Sequence, residues 1–224
     1  MASDEKSVLL EKIANQVRMC EKCRLCKTAT NGVPGEGNPH SELIFIGEAP
    51  GANEDREGRP FVGRAGMLLE FMLNQIGYKR EDVWIGNIVK HRPPENRDPL
   101  PDEIEACKPY LTNQIEVISP KLIVTLGRFS MNYFLPDAKI SQEHGKAHNL
   151  IKYHLYPVYH PAAGLRNPSM KTELIKDFLR IPDVLKEISL KKEHIAETKN
   201  APFQPPEVAR NDPPSSEGGQ IKLI

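Results

Sequence analysis

Hydrophobic and polar positions follow two rhythms along the chain, and these predict its elements. Val8, Leu9, Ile13 and Val17 recur near a 3.6-residue period, which predicts a helix over residues 5–26. The next stretch, TNGVPGEGNPHSE, is rich in Gly, Pro and Asn and predicts a loop. LIFIGE (43–48) is a short unbroken apolar run, the pattern of a strand buried on both faces. VWIGNIV (83–89), KLIVTLG (121–127) and HLYPVYH (154–160) repeat that pattern. Helical spacing fills the intervals: AGMLLEFMLNQIG (65–77) with a stop at Gly77, residues 102–118, and RFSMNYFL after the third strand. A proline-rich loop, HRPPENRDPLPD, follows the second strand, and HPAAGLRNPS reads as a loop after the fourth. A final helix is expected over 169–190. No internal repeat is present.

Strands alternating with helices predict an α/β fold with a central, mostly parallel four-stranded sheet. Ligands of such sheets bind beyond the C-terminal strand ends. Glu48, Asn87, Gly127 and His160 all fall at those ends. One site is therefore expected there.

From residue 196 the composition changes. ETKNAPFQPPEVARNDPPSSEGG offers little to bury and predicts a flexible linker over 196–219, leaving 1–195 as one domain. The chain then closes on the more apolar QIKLI (220–224).

The 224 residues suffice for one sizeable core. No apolar run reaches the roughly 18 residues of a membrane span. The N-terminal segment lacks the uninterrupted apolar centre of a secretory signal, so a cytoplasmic monomer with no membrane partner is expected. Thirty basic and thirty acidic residues give zero formal charge. That balance argues against nonspecific coating of DNA and leaves room for an enzyme with a local basic groove.

Cys20, Cys23 and Cys26 crowd together and Cys107 is remote. This arrangement suits a metal or redox role better than disulfides.

The run GEAPGANEDREGRPFVGRAG (47–66) is the most informative segment. Gly47, Ala49 and Gly51 let backbone approach a ligand closely. Glu48, Glu54 and Asp55 place three carboxylates in one segment, and Phe61 offers an aromatic face. A turn with solvated acids would account for GEAPG alone, but the whole run is more specific. It resembles the first active-site motif of the family 4 uracil-DNA glycosylases. NIVKHRPPENR resembles that family's second block and HPAAGLRNP its third, and the likeness extends through most of residues 20–170.

The resemblance implies a three-layer α/β/α sandwich. It implies a monofunctional enzyme that hydrolyses the N-glycosidic bond of uracil in DNA and so starts base-excision repair. By the same resemblance Phe61 stacks on the flipped uracil and Asn87 pairs with its edge. His160 bonds uracil O2 and stabilises the departing base. Glu48 and Glu54 position or activate water and balance the cationic sugar, with their division of labour open. Gly47 and Ala49 line the base pocket. Leu165 or Arg166 wedges into the vacated stack or holds phosphate. Arg92, Arg97, Lys146, Arg166 and Lys171 are candidate phosphate contacts, though a solvated surface charge explains any one alone.

Family members hold a 4Fe-4S cluster with C-x2-C and a later C-x15-C. Cys20, Cys23 and Cys107 match three positions, and His91 occupies the fourth. His91 is the favoured fourth ligand, with Cys26 the alternative, because imidazole also ligates clusters. A structural zinc site is the plainer reading of Cys3His. A histidine after Val-Lys also occurs in relatives that trap uracil-DNA covalently, but HRPPENRDP lacks their inserted basic loop, so ordinary turnover is expected. No lyase lysine is evident. QIKLI resembles peptides that dock bacterial sliding clamps. The rival readings are a non-catalytic, metal-bearing nucleic-acid-binding protein and a sibling glycosylase of broader base range.

Overall fold

Each of the four apolar runs is short and closed by a turn, too short for a helix, and folds as a buried strand of four or five residues. The computed structural model describes residues 4–200. In order, these form α1 (Glu5–Arg18), β1 (Glu36–Gly37), β2 (Leu43–Gly47), α2 (Ala52–Glu57), α3 (Arg64–Gln75), β3 (Trp84–Asn87) and α4 (Pro101–Ile118). There follow β4 (Leu122–Leu126), α5 (Arg128–Phe134), α6 (Ile140–Glu143), β5 (His148–Asn149), β6 (His154–Val158), α7 (Pro161–Arg166), α8 (Pro168–Leu179) and α9 (Ile181–Asn200).

The sheet order is β1-β3-β2-β4-β6-β5. The inner four strands pair in parallel, and the two edge strands pair antiparallel. The expected four-stranded sheet is thus the centre of a six-stranded one. Each edge strand has only two residues, too few to carry a readable alternation.

Successive side chains of the inner strands face opposite layers. Leu43 and Phe45 pack with Leu69, Met72 and Leu73 of α3, Phe178 of α8 and Ile181 of α9. Ile44 and Ile46 pack with Leu10, Ile13 and Val17 of α1 and with Tyr110, Leu111 and Ile115 of α4. This gives the three layers. The β2–β3 crossover runs over one face through α3, and the β3–β4 crossover over the other through α4. A crevice therefore opens beyond the C-terminal end of β2, where the strand order reverses.

Several helix boundaries differ from the sequence expectation. α1 ends at Arg18, and the amide of Cys20 turns back to the carbonyl of Val17. Cys20–Cys26 therefore lie in turns, with a 3-10 segment at Arg24–Lys27, rather than on the helix. The final helix is two helices. Pro182 has no N–H and its ring opposes the carbonyl four residues back, so the chain breaks at Arg180. The segment after β6 is helical too, because Pro161 suits a first helical turn and Asn167 caps the next helix through Ser169 and Met170. α9 runs to Asn200, beyond the expected start of the linker. Residues 201–219 and the pentapeptide 220–224 lie outside the described residues. Among those described, no helix is long and apolar enough to cross a membrane.

Candidate active site

A cavity of about 620 Å³ opens at the C-terminal edge of the inner strands. Glu48, Phe61, Asn87, Gly127 and His160 all line it. Register explains the convergence: Gly47 pairs with Asn87, and Leu126 with Val158, so the four strands end almost level. Beyond that edge the amides of Ile88 and Val89 donate to the carbonyls of Gly47 and Glu48, which holds the two strand exits together.

Gly47 is not in the lining, but it sets the spacing. A Cβ there would stand 2.4 Å from Asn87 Oδ1 and 2.5 Å from Phe61 Cζ. Only glycine lets both side chains close over the strand end. Asn87 is 2 % exposed, and its Oδ1 has no hydrogen-bond partner. A buried amide oxygen left unpaired costs about 1–3 kcal/mol. A ligand with a matching donor recovers that cost.

Phe61 is 6 % exposed and holds φ at 52°, a strained value for a bulky residue. Three features impose it. Arg80 donates from Nη1 to the Phe61 carbonyl at 3.0 Å and from Nη2 to the Pro60 carbonyl. Glu36 anchors Arg80 through Nε at 2.7 Å. Gly66 leaves room, since a Cβ there would stand 1.8 Å from the Phe61 oxygen. The Phe61 ring then stacks beside His160, with centroids 5.8 Å apart. Core packing and cavity lining are the same placement for this residue.

The acids divide sharply. Glu54 Oε1 accepts from the amides of Val62 and Gly63, and Oε2 from that of Gly51. Its carboxylate ties both ends of the loop. Asp55 is buried and accepts from the amides of Thr30 and Asn31. The carboxylate of Glu48 alone has no hydrogen-bond partner among the described residues. Burial, aided by Asp98 and opposed by Arg128, pushes its carboxyl up to about 7.

His160 Nδ1 accepts from the Ala162 amide at 3.1 Å. That bond places the ring proton of the neutral form on Nε2. Burial, with help from Arg166, depresses its pKa to about 4, against a smaller opposing pull from Glu54. The ring is therefore a neutral donor at ordinary pH.

A second cavity is lined by Cys20, Cys26 and His91. His91 is 3 % exposed with Nδ1 unpartnered. Cys107 is buried and accepts from the Lys90 amide at 3.4 Å; burial raises its pKa to about 11, and Cys23 and Cys20 lie near enough to add to the rise. Tyr110 and Cys20 pack in the same buried cluster. Cys26 donates to the carbonyl of Cys23 at 3.1 Å. These donors share one neighbourhood. As the side chains stand, no three His, Cys, Asp or Glu among the described residues converge to hold one metal ion.

Comparison with known proteins decides the family. The model of the uracil DNA glycosylase superfamily matches residues 34–181. The chain is 51% identical over 186 residues to a type-4 uracil-DNA glycosylase of Saccharolobus solfataricus, covering 79% of this chain and 86% of that one. The chain belongs to the uracil DNA glycosylase superfamily. A type-4 enzyme of Sulfurisphaera tokodaii is 50% identical over 186 residues, 78% of this chain and 84% of the relative. One from Archaeoglobus fulgidus is 45% identical over 184 residues, 78% and 92% of the two chains.

Within this superfamily fold, most residues singled out from the sequence meet at the cavity, and some do not. Ala49, Glu54 and Arg166 line it with the four strand-end residues. Leu165 does not; it sits on α7, 39 % exposed. Arg97 lines the cavity, but its guanidinium grips the buried Glu103 at 2.6 and 2.9 Å. Arg92 donates to Asn96, and Lys146 pairs with Glu143. Sequence reasoning missed Arg80, which builds the Phe61 turn. It also missed the Arg128–Asp98 pair, 2.7 Å apart in the cavity wall. Arg128 directly follows a strand-end glycine, a signal that could have found it. Arg80 lies remote in sequence from Phe61 and carries none.

The raised Glu48 carboxyl has a consequence for stability. The folded state holds this proton more tightly than the unfolded chain, so stability falls as pH rises from about 4.5 through 7. Glu48→Gln escapes that fall. The shift is worth at most about 3 kcal/mol, and solvent screening at the open cavity removes roughly half. The variant should therefore melt about 3–6 °C above the parent at pH 8 and level with it at pH 4.5, as read by thermal unfolding.

Proposed function

We propose that the chain is a monofunctional uracil-DNA glycosylase that hydrolyses the N-glycosidic bond of uracil in DNA. One observation carries this reading: the buried, unpartnered Asn87 oxygen shares a cavity with the Phe61 ring and a neutral His160. The base must leave the stack to enter. Phe61 supplies a face for it. The Asn87 amide accepts from uracil N3–H and donates to O4, contacts that cytosine, with the opposite donor and acceptor at those positions, cannot make.

His160 Nε2–H donates to O2 as negative charge builds on the departing base. A neutral donor fixed in advance stabilises that charge without giving up its proton. Glu48, the free carboxylate, activates water and balances the cationic sugar. Glu54 acts by positioning, since three backbone amides occupy its oxygens. Leu165 and Arg166, on the short α7 beside the cavity, serve as wedge and phosphate contact. A non-catalytic binding protein would leave the unpartnered Asn87 and the raised Glu48 unexplained.

The proposed cofactor is a 4Fe-4S cluster held by Cys20, Cys23, Cys107 and His91. Support comes from the donor set: three thiols in one neighbourhood and a buried imidazole with a free Nδ1. His91 is preferred to Cys26, whose thiol already bonds the Cys23 carbonyl. When bound, such a cluster cross-links the turns after α1 to α4 and supplies a redox-active centre. The C-terminal QIKLI is proposed as a sliding-clamp tether.

Uracil release from single- and double-stranded oligonucleotides tests the activity. Asn87→Ala and His160→Ala should each lose about 10²–10³-fold in single-turnover rate. The parent rate should climb with pH to a plateau above about 7, set by Glu48, and Glu48→Gln should lose that limb. Uracil release unaffected by Asn87→Ala would contradict the reading. Anaerobically purified protein should contain about four irons and four sulfides per chain. His91→Ala should lower that content and alter the visible spectrum, while Cys26→Ala should leave both intact; one zinc and no sulfide would overturn the cluster. Removing residues 220–224 should abolish clamp binding and spare activity on a short oligonucleotide.

A further inference from the structure

Lys90 is completely buried, and the chemistry above does not use it. Its ammonium donates to three acceptors: Gln114 Oε1 at 2.7 Å, the Asn87 carbonyl at 3.0 Å and the Pro34 carbonyl at 3.3 Å. Those three bonds use its full donor capacity. It forms no ion pair with a carboxylate among the described residues. Gln114 is itself fixed, donating from Nε2 to the same Pro34 carbonyl at 2.7 Å. An ammonium so deeply buried costs several kcal/mol of desolvation. A purely packing role would be met more cheaply by an apolar side chain of similar length.

We propose that Lys90 is a positioning residue for Asn87. It holds the last residue of β3 from behind, through the backbone carbonyl, and braces it against α4 and the segment at Pro34. The proposal deepens the reading of Asn87 as the uracil-recognising residue and rests on it. The base-reading amide has no hydrogen-bond partner at its Oδ1 to fix its direction. Its aim therefore depends on how firmly its backbone is held. A small rotation at Asn87 would misalign both contacts to the base edge, and misplacement on the ångström scale costs on the order of 10²-fold in rate.

Lys90 also joins two parts of the molecule. Its amide donates to Cys107 Sγ, its carbonyl accepts from the Val33 amide at 2.7 Å, and His91 follows it in the chain. The segment that carries His91, one of the proposed cluster ligands, and bonds Cys107, another, is thus the same one that braces the base-reading residue.

A double-mutant cycle tests the proposal in the full chain with its cofactor bound. Lys90→Met keeps the length and removes the three bonds. In the parent it should slow single-turnover uracil release by about 10–100-fold and weaken binding of free uracil, measured by calorimetry, at least fivefold. In an Asn87→Ala background the same change should alter the residual rate less than twofold, because no amide remains to be aimed. Iron content should stay at the parent level throughout. Equal losses in both backgrounds, or loss of iron in step with activity, would overturn the proposal and leave Lys90 a residue of the fold. If Lys90→Met does not fold, Gln114→Leu removes the brace from the far side and carries the same cycle, with a smaller loss that should again vanish beside Asn87→Ala. A parent protein that neither releases nor binds uracil would instead refute the functional reading.

Discussion

The site depends on a missing side chain. At Gly47 the end of β2 passes so close to Asn87 and Phe61 that no Cβ fits between them. The parallel pairing of β2 with β3 and β4 brings the strand ends level, but that alone yields only a shallow edge. The bare backbone at Gly47 lets an aromatic ring and an amide close over it from two sides. Everything the cavity can recognise follows from that approach.

Holding such an approach requires strain, and the surrounding groups supply the restraint. Phe61 is kept at a positive φ by Arg80 on its carbonyl side and by the space that Gly66 leaves. Glu54 gathers the amides of Gly51, Val62 and Gly63, closing the loop onto itself. Of the acids in the 47–66 run, Glu54 and Asp55 are thus consumed in holding backbone amides. Glu48 stays free and half-buried, the condition that raises a carboxyl toward neutrality. His160 shows the converse: burial and Arg166 keep it neutral, and the Ala162 amide on Nδ1 leaves its proton on Nε2. Structure and chemistry draw on the same set of bonds.

The inner sheet was legible because Leu43–Ile46 is an unbroken apolar run and Leu122–Leu126 is interrupted only by Thr125, both buried on both faces. Placing Glu48, Asn87 and His160 at strand ends followed from the same pattern. The edge strands were not legible, since Glu36–Gly37 and His148–Asn149 are too short to show a period. Helix ends were misplaced at Cys20, whose amide turns back to Val17, and at Pro182, whose missing N–H breaks the last helix in two. The acids could not be ranked from sequence because their difference lies in partners that are scattered or backbone: Glu54 meets amides, and Glu48 meets none. Arg80 and Lys90 were invisible for the same reason, each acting on a carbonyl that no motif records. The membership of the superfamily was legible from three blocks.

The account stands on the claim that Asn87, Phe61 and His160 form one uracil pocket over Gly47. A crystal structure with free uracil bound tests this most directly. The base should lie on the Phe61 ring, with N3–H on Asn87 Oδ1 and O2 facing His160 Nε2. Uracil bound elsewhere, or turned so that Asn87 Oδ1 remains without a donor, would contradict it.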